Sequence, residues 1–207
     1  MEITYFIGNG FDLAMGLQTS YRHFVKHYLE TPPNKACDQF LKKLIAEDVE
    51  NWSDAEAALG QCTESFNAGQ EELFSECYTD FVLSLSEFLE SADRSCISPI
   101  NIKDIRHHYT NAFTNLEHFI PHVQPGLKRA LSESVRQPRN FSIINFNYTH
   151  VFDHGIDVLG RKGVAINSKT PPNSDIIGDV HHIHGEFSHE MVMGVDGDDQ
   201  IANQDFA

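Results

Sequence analysis

Ile3-Thr4-Tyr5-Phe6-Ile7-Gly8-Asn9-Gly10-Phe11-Asp12 runs a hydrophobic strand straight into a glycine turn. Nearly every position of residues 3–7 is apolar or aromatic, the pattern of a parallel-sheet strand covered on both faces. A helical pattern follows, from Leu13 through Leu29. Strand, glycine turn and helix form the first half of a nucleotide-binding unit. The glycines let the backbone approach a diphosphate, and the helix N-terminus offers N–H groups and a partial positive charge. On this reading the chain begins with its binding site. The motif is short, however. The third glycine of the dinucleotide fingerprint would fall at Leu13, and a tight strand-to-helix turn without a ligand fits the same residues. Asp12 suits a first helical turn but would repel a phosphate, so it is assigned to a ribose or to an internal partner.

A length of 207 residues suits one domain, or one domain carrying an insertion. No apolar run approaches membrane-spanning length, and the N-terminus lacks a charged-then-apolar signal pattern. Cys37, Cys62, Cys77 and Cys96 form no C-x-x-C pair. Free or buried thiols in a reducing cytoplasm are therefore expected, with neither zinc nor a disulfide framework. The formal net charge is −15, and it is unevenly distributed. Between Lys43 and Arg94 there is no lysine or arginine, while thirteen Asp and Glu residues lie there. Such a surface repels phosphates and argues against direct nucleic-acid binding through this region. A solvated acidic face is the plainest use of such a run.

Three parts follow from the periodicity. Residues 1–30 hold the first strand and helix. Residues 34–135 are expected to be a mostly helical insertion, with Ser53 as an N-cap, a long helix from Gln70 to Leu89 and another from about Ile102 to Phe119. Pro32-Pro33, Ser98-Pro99 and Pro121 punctuate it. Strand-like patterns then return, giving an expected parallel sheet of residues 3–7, 141–146, 164–167, 180–184 and 191–195.

The chemistry concentrates where strands end. Asn145-Phe146-Asn147-Tyr148-Thr149 follows a buried strand, at the edge where open α/β sheets hold ligands. Asn145 is assigned to the turn itself, its side chain satisfying backbone groups. Asn147 is assigned to a ligand. In His181-His182-Ile183-His184-Gly185, strand alternation sends His182 and His184 to one face. A histidine at a strand end can act as a general base, and Gly185 would let a ligand approach. Structural histidines, or a metal site of His182 and His184 with His189 or Asp179, are the competing readings. His107, His108, His118 and His122 sit in helical context and read as helix-surface residues.

Together these residues resemble a known family. Gly8-Asn9-Gly10-Phe11-Asp12, Trp52-Ser53-Asp54-Ala55-Glu56, Asn145-Phe146-Asn147-Tyr148-Thr149, Ile183-His184-Gly185 and Met193-Gly194 resemble, in that order, the bacteriophage abortive-infection AbiH family. The order is also similar to that of sirtuin-like NAD-binding domains. That wider resemblance implies a Rossmann-like domain with a helical insertion and a site that cleaves NAD. Carried over residue by residue, the catalytic Asn is Asn147 and the catalytic His is His184. The NAD-binding positions implied are Gly8, Asn9, Gly10, Phe11, Asp12, Tyr148, Thr149, Gly185, Gly194 and Asp196. Thr149 stands where the sirtuin-like pattern has Asp, Asp12 where Ser is common, and Asp196 where a late Ser is expected.

The cysteine pairs of the sirtuin zinc module are missing, which turns the expectation from deacylation to NAD hydrolysis. The resemblance thus implies an anti-phage NADase acting on a small-molecule nucleotide in the cytoplasm, with no metal, no nucleic acid and no membrane. A phage-protein trigger and a homo-oligomer are the further partners it leaves open. Members of the family usually continue further, so the chain is expected to be a partial one. A nucleotide sensor without catalysis and a metal-dependent nuclease toxin are the alternatives.

Overall fold

The computed structural model describes residues 1–33, 36–50, 52, 54–97, 102–114, 116, 126, 129, 138–159, 175–187, 191–194, 197 and 200–203. It divides into two compact units, each built from two stretches of chain. The first comprises Met1–Phe11 and Ser95–Ile183, the second Asp12–Arg94 and His184–Ala207.

The first unit is α/β. Strands β1 (Glu2–Ile7), β2 (Asn140–Asn145) and β3 (Ile176–His182) form a parallel sheet in the order β1-β2-β3. Register pairs Ile7 with Asn145 and Asn145 with His182, so all three strands end on one rung. One face of the sheet packs on helices α6 (Ile102–Thr114) and α7 (Val151–Leu159). Ile7, Phe141, Ile143 and Ile177 meet Tyr109, Phe113, Phe152 and Ile156 in the buried core. Tyr5 sets its ring edge-on to Phe113 at 5.3 Å and donates its O–H to the Ala112 carbonyl at 2.8 Å. Inside α7, Gly155 makes room for an aromatic ring: a Cβ there would lie 2.0 Å from Cζ of Tyr109. At the other end of the sheet Arg139 and Asp175 form a buried ion pair that ties the starts of β2 and β3.

The expectation that β1 is covered on both faces fails. Its burial alternates, and Phe6 is 67% exposed. β1 is an edge strand of the described sheet, and only its core-facing side chains meet the helices. The expected strand at 164–167 lies outside the described residues. Residues 191–194 are not a strand, and β3 stops at His182, two residues short of His184.

The second unit is helical wherever its described residues are regular. The single helix expected from Leu13 to Leu29 is two: α1 (Gly10–Ala14) and α2 (Tyr21–Glu30). Gly16 adopts φ +86°, a left-handed turn that stops α1. Ser20 then caps α2, accepting the His23 N–H at 3.4 Å. Helix α3 (Ala36–Glu47) is followed by α4 (Ala55–Cys62), whose N-cap is Asp54 rather than the neighbouring Ser53. A carboxylate gains from the helix dipole as well as from the Ala57 N–H it accepts. Helix α5 (Glu71–Ile97) buries Cys77, Phe81, Leu85 and Leu89 at four-residue spacing. The Phe81 ring meets Phe24, Tyr28 and Trp52 within 5.5 Å. The tail segment docks on α4 and α5 through Ala202 N–H to the Gly60 carbonyl and the Tyr78 hydroxyl to the Met193 carbonyl. Cys37, Cys62 and Cys77 are free thiols.

Candidate functional site

Within the first unit, the sequence-predicted residues converge on the carboxyl ends of the three strands. The ladder continues one bond beyond each strand: the Phe146 N–H donates to the Ile7 carbonyl at 2.8 Å, and Ile183 to Asn145 at 3.1 Å. Gly8 to Phe11 form a tight turn closed by the Phe11 N–H on the Gly8 carbonyl at 2.8 Å. Neither Gly8 nor Gly10 has the positive φ that demands glycine, and a Cβ on either would meet no heavy atom within 4 Å. Packing therefore explains neither glycine. What their bareness provides is unobstructed access to the backbone. The helix that follows is only one turn long, so its dipole contributes little of the anion affinity expected from the sequence.

Phe11 belongs to the core, with its ring edge-on to Phe152 at 5.3 Å and to Tyr109 at 6.1 Å. Asn145 is fully buried, and its Oδ1 accepts the Asn147 N–H at 3.0 Å, the turn-forming use expected of it. The other end of that amide, Nδ2, has no partner among the described residues. A buried donor left unmet costs about 1–3 kcal/mol, so its retention calls for a reason.

Asn147, Tyr148 and Thr149 are all buried. Asn147 enters the site through its main chain, with its N–H on Asn145 and its carbonyl facing His182 Nδ1 at 3.0 Å. The other ring nitrogen of His182, Nε2, meets the Asp153 carboxylate at 3.0 Å. The His150 ring lies 5.9 Å from His182 and 6.2 Å from His154. Among the described residues no group of three His, Cys, Asp or Glu is placed to hold a metal ion. Asp153 is not among the residues expected from the sequence. Its signal was an acidic residue in the first turn of the helix that follows the asparagine segment.

The remaining predicted residues belong to the second unit. Asp12 is buried, and its carbonyl accepts the Leu17 N–H at 3.1 Å. His184 sits in a turn, half-buried, its carbonyl accepting from Val192 at 2.8 Å. Gly185 has φ +76°, so its turn demands glycine whether or not a ligand approaches. Gly194 is exposed and lines a small cavity with Glu56, Phe74 and Tyr78. Burial, and then the charge of Glu56, push the Tyr78 phenol up from its ordinary value. Asp196 and His189 lie outside the described residues. Among those described, no helix is long and apolar enough to cross a membrane.

No curated protein and no solved structure matches the chain. The family model described as bacteriophage abortive infection AbiH matches residues 4–206, and the chain belongs to that family.

Proposed function

We propose that this abortive-infection protein binds a dinucleotide at the carboxyl edge of its parallel sheet and hydrolyses NAD to nicotinamide and ADP-ribose in the cytoplasm. The observation that carries the binding half is the pairing of two glycines that no packing requires with the buried Asn145 Nδ2, which has no partner among the described residues. Bare backbone N–H groups suit a diphosphate, and an amide donor suits a ribose hydroxyl or a carboxamide oxygen. The position agrees with where open α/β sheets hold nucleotides. The choice of NAD rests on the sirtuin-like order of motifs, as does a Rossmann-like classification of the sheet.

Hydrolysis breaks the bond between the ribose C1′ and the nicotinamide nitrogen. A water oxygen bonds to C1′ and its proton is released, through a transition state with positive charge on the ribose. Asn147, buried and hydrogen-bonded at both main-chain groups, positions the site around Asn145 and His182. His184 is the base that the resemblance assigns, taking a proton from water or from a ribose hydroxyl. One observation favours the sensor alternative: both ring nitrogens of His182 already have partners within the fold, the Asn147 carbonyl and the Asp153 carboxylate.

Titration calorimetry with NAD and ADP-ribose, followed by chromatography of nicotinamide, separates the two. Saturable binding with nicotinamide release, lost in His184→Ala, supports the hydrolase. Binding without release supports the sensor. If neither ligand binds, the nucleotide reading fails.

A further inference from the structure

The sheet of the first unit carries an exposed aromatic pair at the end where the candidate site lies. Side chains alternate along β1, so Tyr5 and Ile7 face the helices while Phe6 faces away from them. Register carries that open face across one rung, from Phe6 to Ile144 and on to His181. Phe146, one residue past β2, brings its ring to 6.2 Å from that of Phe6, with the two planes tilted by 35°. Phe6 is 67% exposed and Phe146 38%. Exposure of the first extent cannot come from the rim of a flat ring alone, so Phe6 turns a ring face to solvent.

The pair is local to the carboxyl end. At the start of the sheet β1 and β2 carry Glu2, Thr4, Asn140 and Ser142 on this face, all exposed, and the Asn140 amide donates to the Glu2 carboxylate at 2.7 Å. Phe6 stands two residues before Gly8, in the exposed turn Gly8-Asn9-Gly10. Two residues of strand span about 7 Å, and a ribose is the spacer between a nucleotide's base and its first phosphate. A stable protein interface takes roughly 20–30 residues a side, far more than two rings beside a polar face supply. Two rings match a single flat heterocycle, since stacking a base on an aromatic side chain needs only its π-face.

We propose that Phe6, flanked by Phe146, is the stacking platform for the base of the bound nucleotide, a planar heteroaromatic ring laid on the open face while its phosphate lies at the Gly8–Gly10 turn. The inference rests on the nucleotide reading above and adds the side chain that holds the base. Adenine and the pyridine ring of nicotinamide share this chemistry.

Titration calorimetry of the full chain uses AMP, nicotinamide mononucleotide and ribose 5-phosphate, three probes that share a phosphorylated ribose and differ in the base. Phe6→Ala is expected to weaken AMP or nicotinamide mononucleotide about fivefold or more, the low end of what stacking one base contributes. Affinity for ribose 5-phosphate should not change. The nucleotide that loses affinity identifies the base. Phe6→Tyr, which keeps the ring, should bind both nucleotides as the parent does. Phe6 is exposed, so the thermal midpoints of both variants should stay close to the parent's. Parental affinity for both nucleotides in Phe6→Ala, or an equal loss for ribose 5-phosphate, would overturn the platform and leave the nucleotide reading standing. Failure of the parent to bind any of the three would overturn both. A parent that is dimeric by light scattering and monomeric as Phe6→Ala, with nucleotide affinity unchanged, would overturn the platform and assign the rings to a second copy of the chain.

Discussion

Replacing Gly10 with alanine should raise stability and remove the nucleotide. Gly10 is the first residue of α1, its φ is not left-handed, and the added methyl would meet no heavy atom within 4 Å. At such a site Gly→Ala stabilises by about 0.4–1 kcal/mol, chiefly by restricting the unfolded chain. In a chain of this length that corresponds to a rise of about 1–4 °C in the thermal midpoint. The same methyl would occupy the space through which a phosphate reaches the backbone N–H groups. A tenfold or greater loss of affinity for ADP-ribose is expected, which corresponds to a loss of about 1.4 kcal/mol or more. Thermal unfolding and titration calorimetry on one preparation read both quantities. The opposite signs are the point, since a damaged fold would lower both. A Gly10→Ala variant that is more stable and binds ADP-ribose as tightly as the parent would refute the reasoning. Gly10 would then be a turn residue and nothing more.

Other parts of the structure predict changes of their own. Asp175→Ala leaves the buried Arg139 guanidinium unpaired and should cost about 3–5 kcal/mol, read as an earlier urea transition of the first unit. Gly155→Ala drives a methyl to 2.0 Å from the Tyr109 ring and should cost about 1–3 kcal/mol or more, with Tyr109→Ala in the same chain recovering part of the loss. Alkali should destabilise both units. The phenol of Tyr5 and the thiols of Cys62 and Cys77 are each pushed up to about 12, in every case first by burial. Their neutral forms favour the folded state, so this stability is fully present below the unfolded values, near 9 for the thiols and 10 for the phenol. It is lost as pH rises toward 12; a flat unfolding midpoint from pH 9 to 12 would contradict the assignment.

The local order of elements was legible because it rests on periodicity. Residues 3–7 and 141–146 read as strands from their apolar content, and β1 and β2 pair there in parallel. The long amphipathic stretch after Gln70 reads as a helix, and α5 follows it. What failed were decisions that depend on one residue's backbone or on tertiary cover. Gly16 in a left-handed conformation splits one expected helix into two, and the sequence Met15-Gly16-Leu17 does not announce that φ. The exposed face of β1 was illegible because Phe6 is as apolar as the buried positions beside it. The sequence does not mark the boundary after Phe11 either, since it falls inside a single short helix.

The strand ends that form the candidate site were legible in the sequence, and the contacts among the side chains there were not. Strand ends and glycines mark the carboxyl edge of a parallel sheet from sequence alone, because that edge follows from topology. Which atoms face one another there does not. Alternation along an expected strand of 180–184 grouped His182 with His184, but β3 ends at His182 and the chain turns at Gly185. His182 then takes its place from two groups distant in sequence, the Asn147 carbonyl and the Asp153 carboxylate. That arrangement binds the end of β3 to the turn after β2 and to the first turn of α7. Held between that carbonyl and that carboxylate, the His182 ring joins these three segments beside Asn145. For the proposed nucleotide site such rigidity matters, because N–H groups bind a diphosphate well only if their geometry is set in advance. In that proposed site the part of His182 is to hold geometry, through the Asn147 carbonyl and the Asp153 carboxylate, rather than to touch substrate.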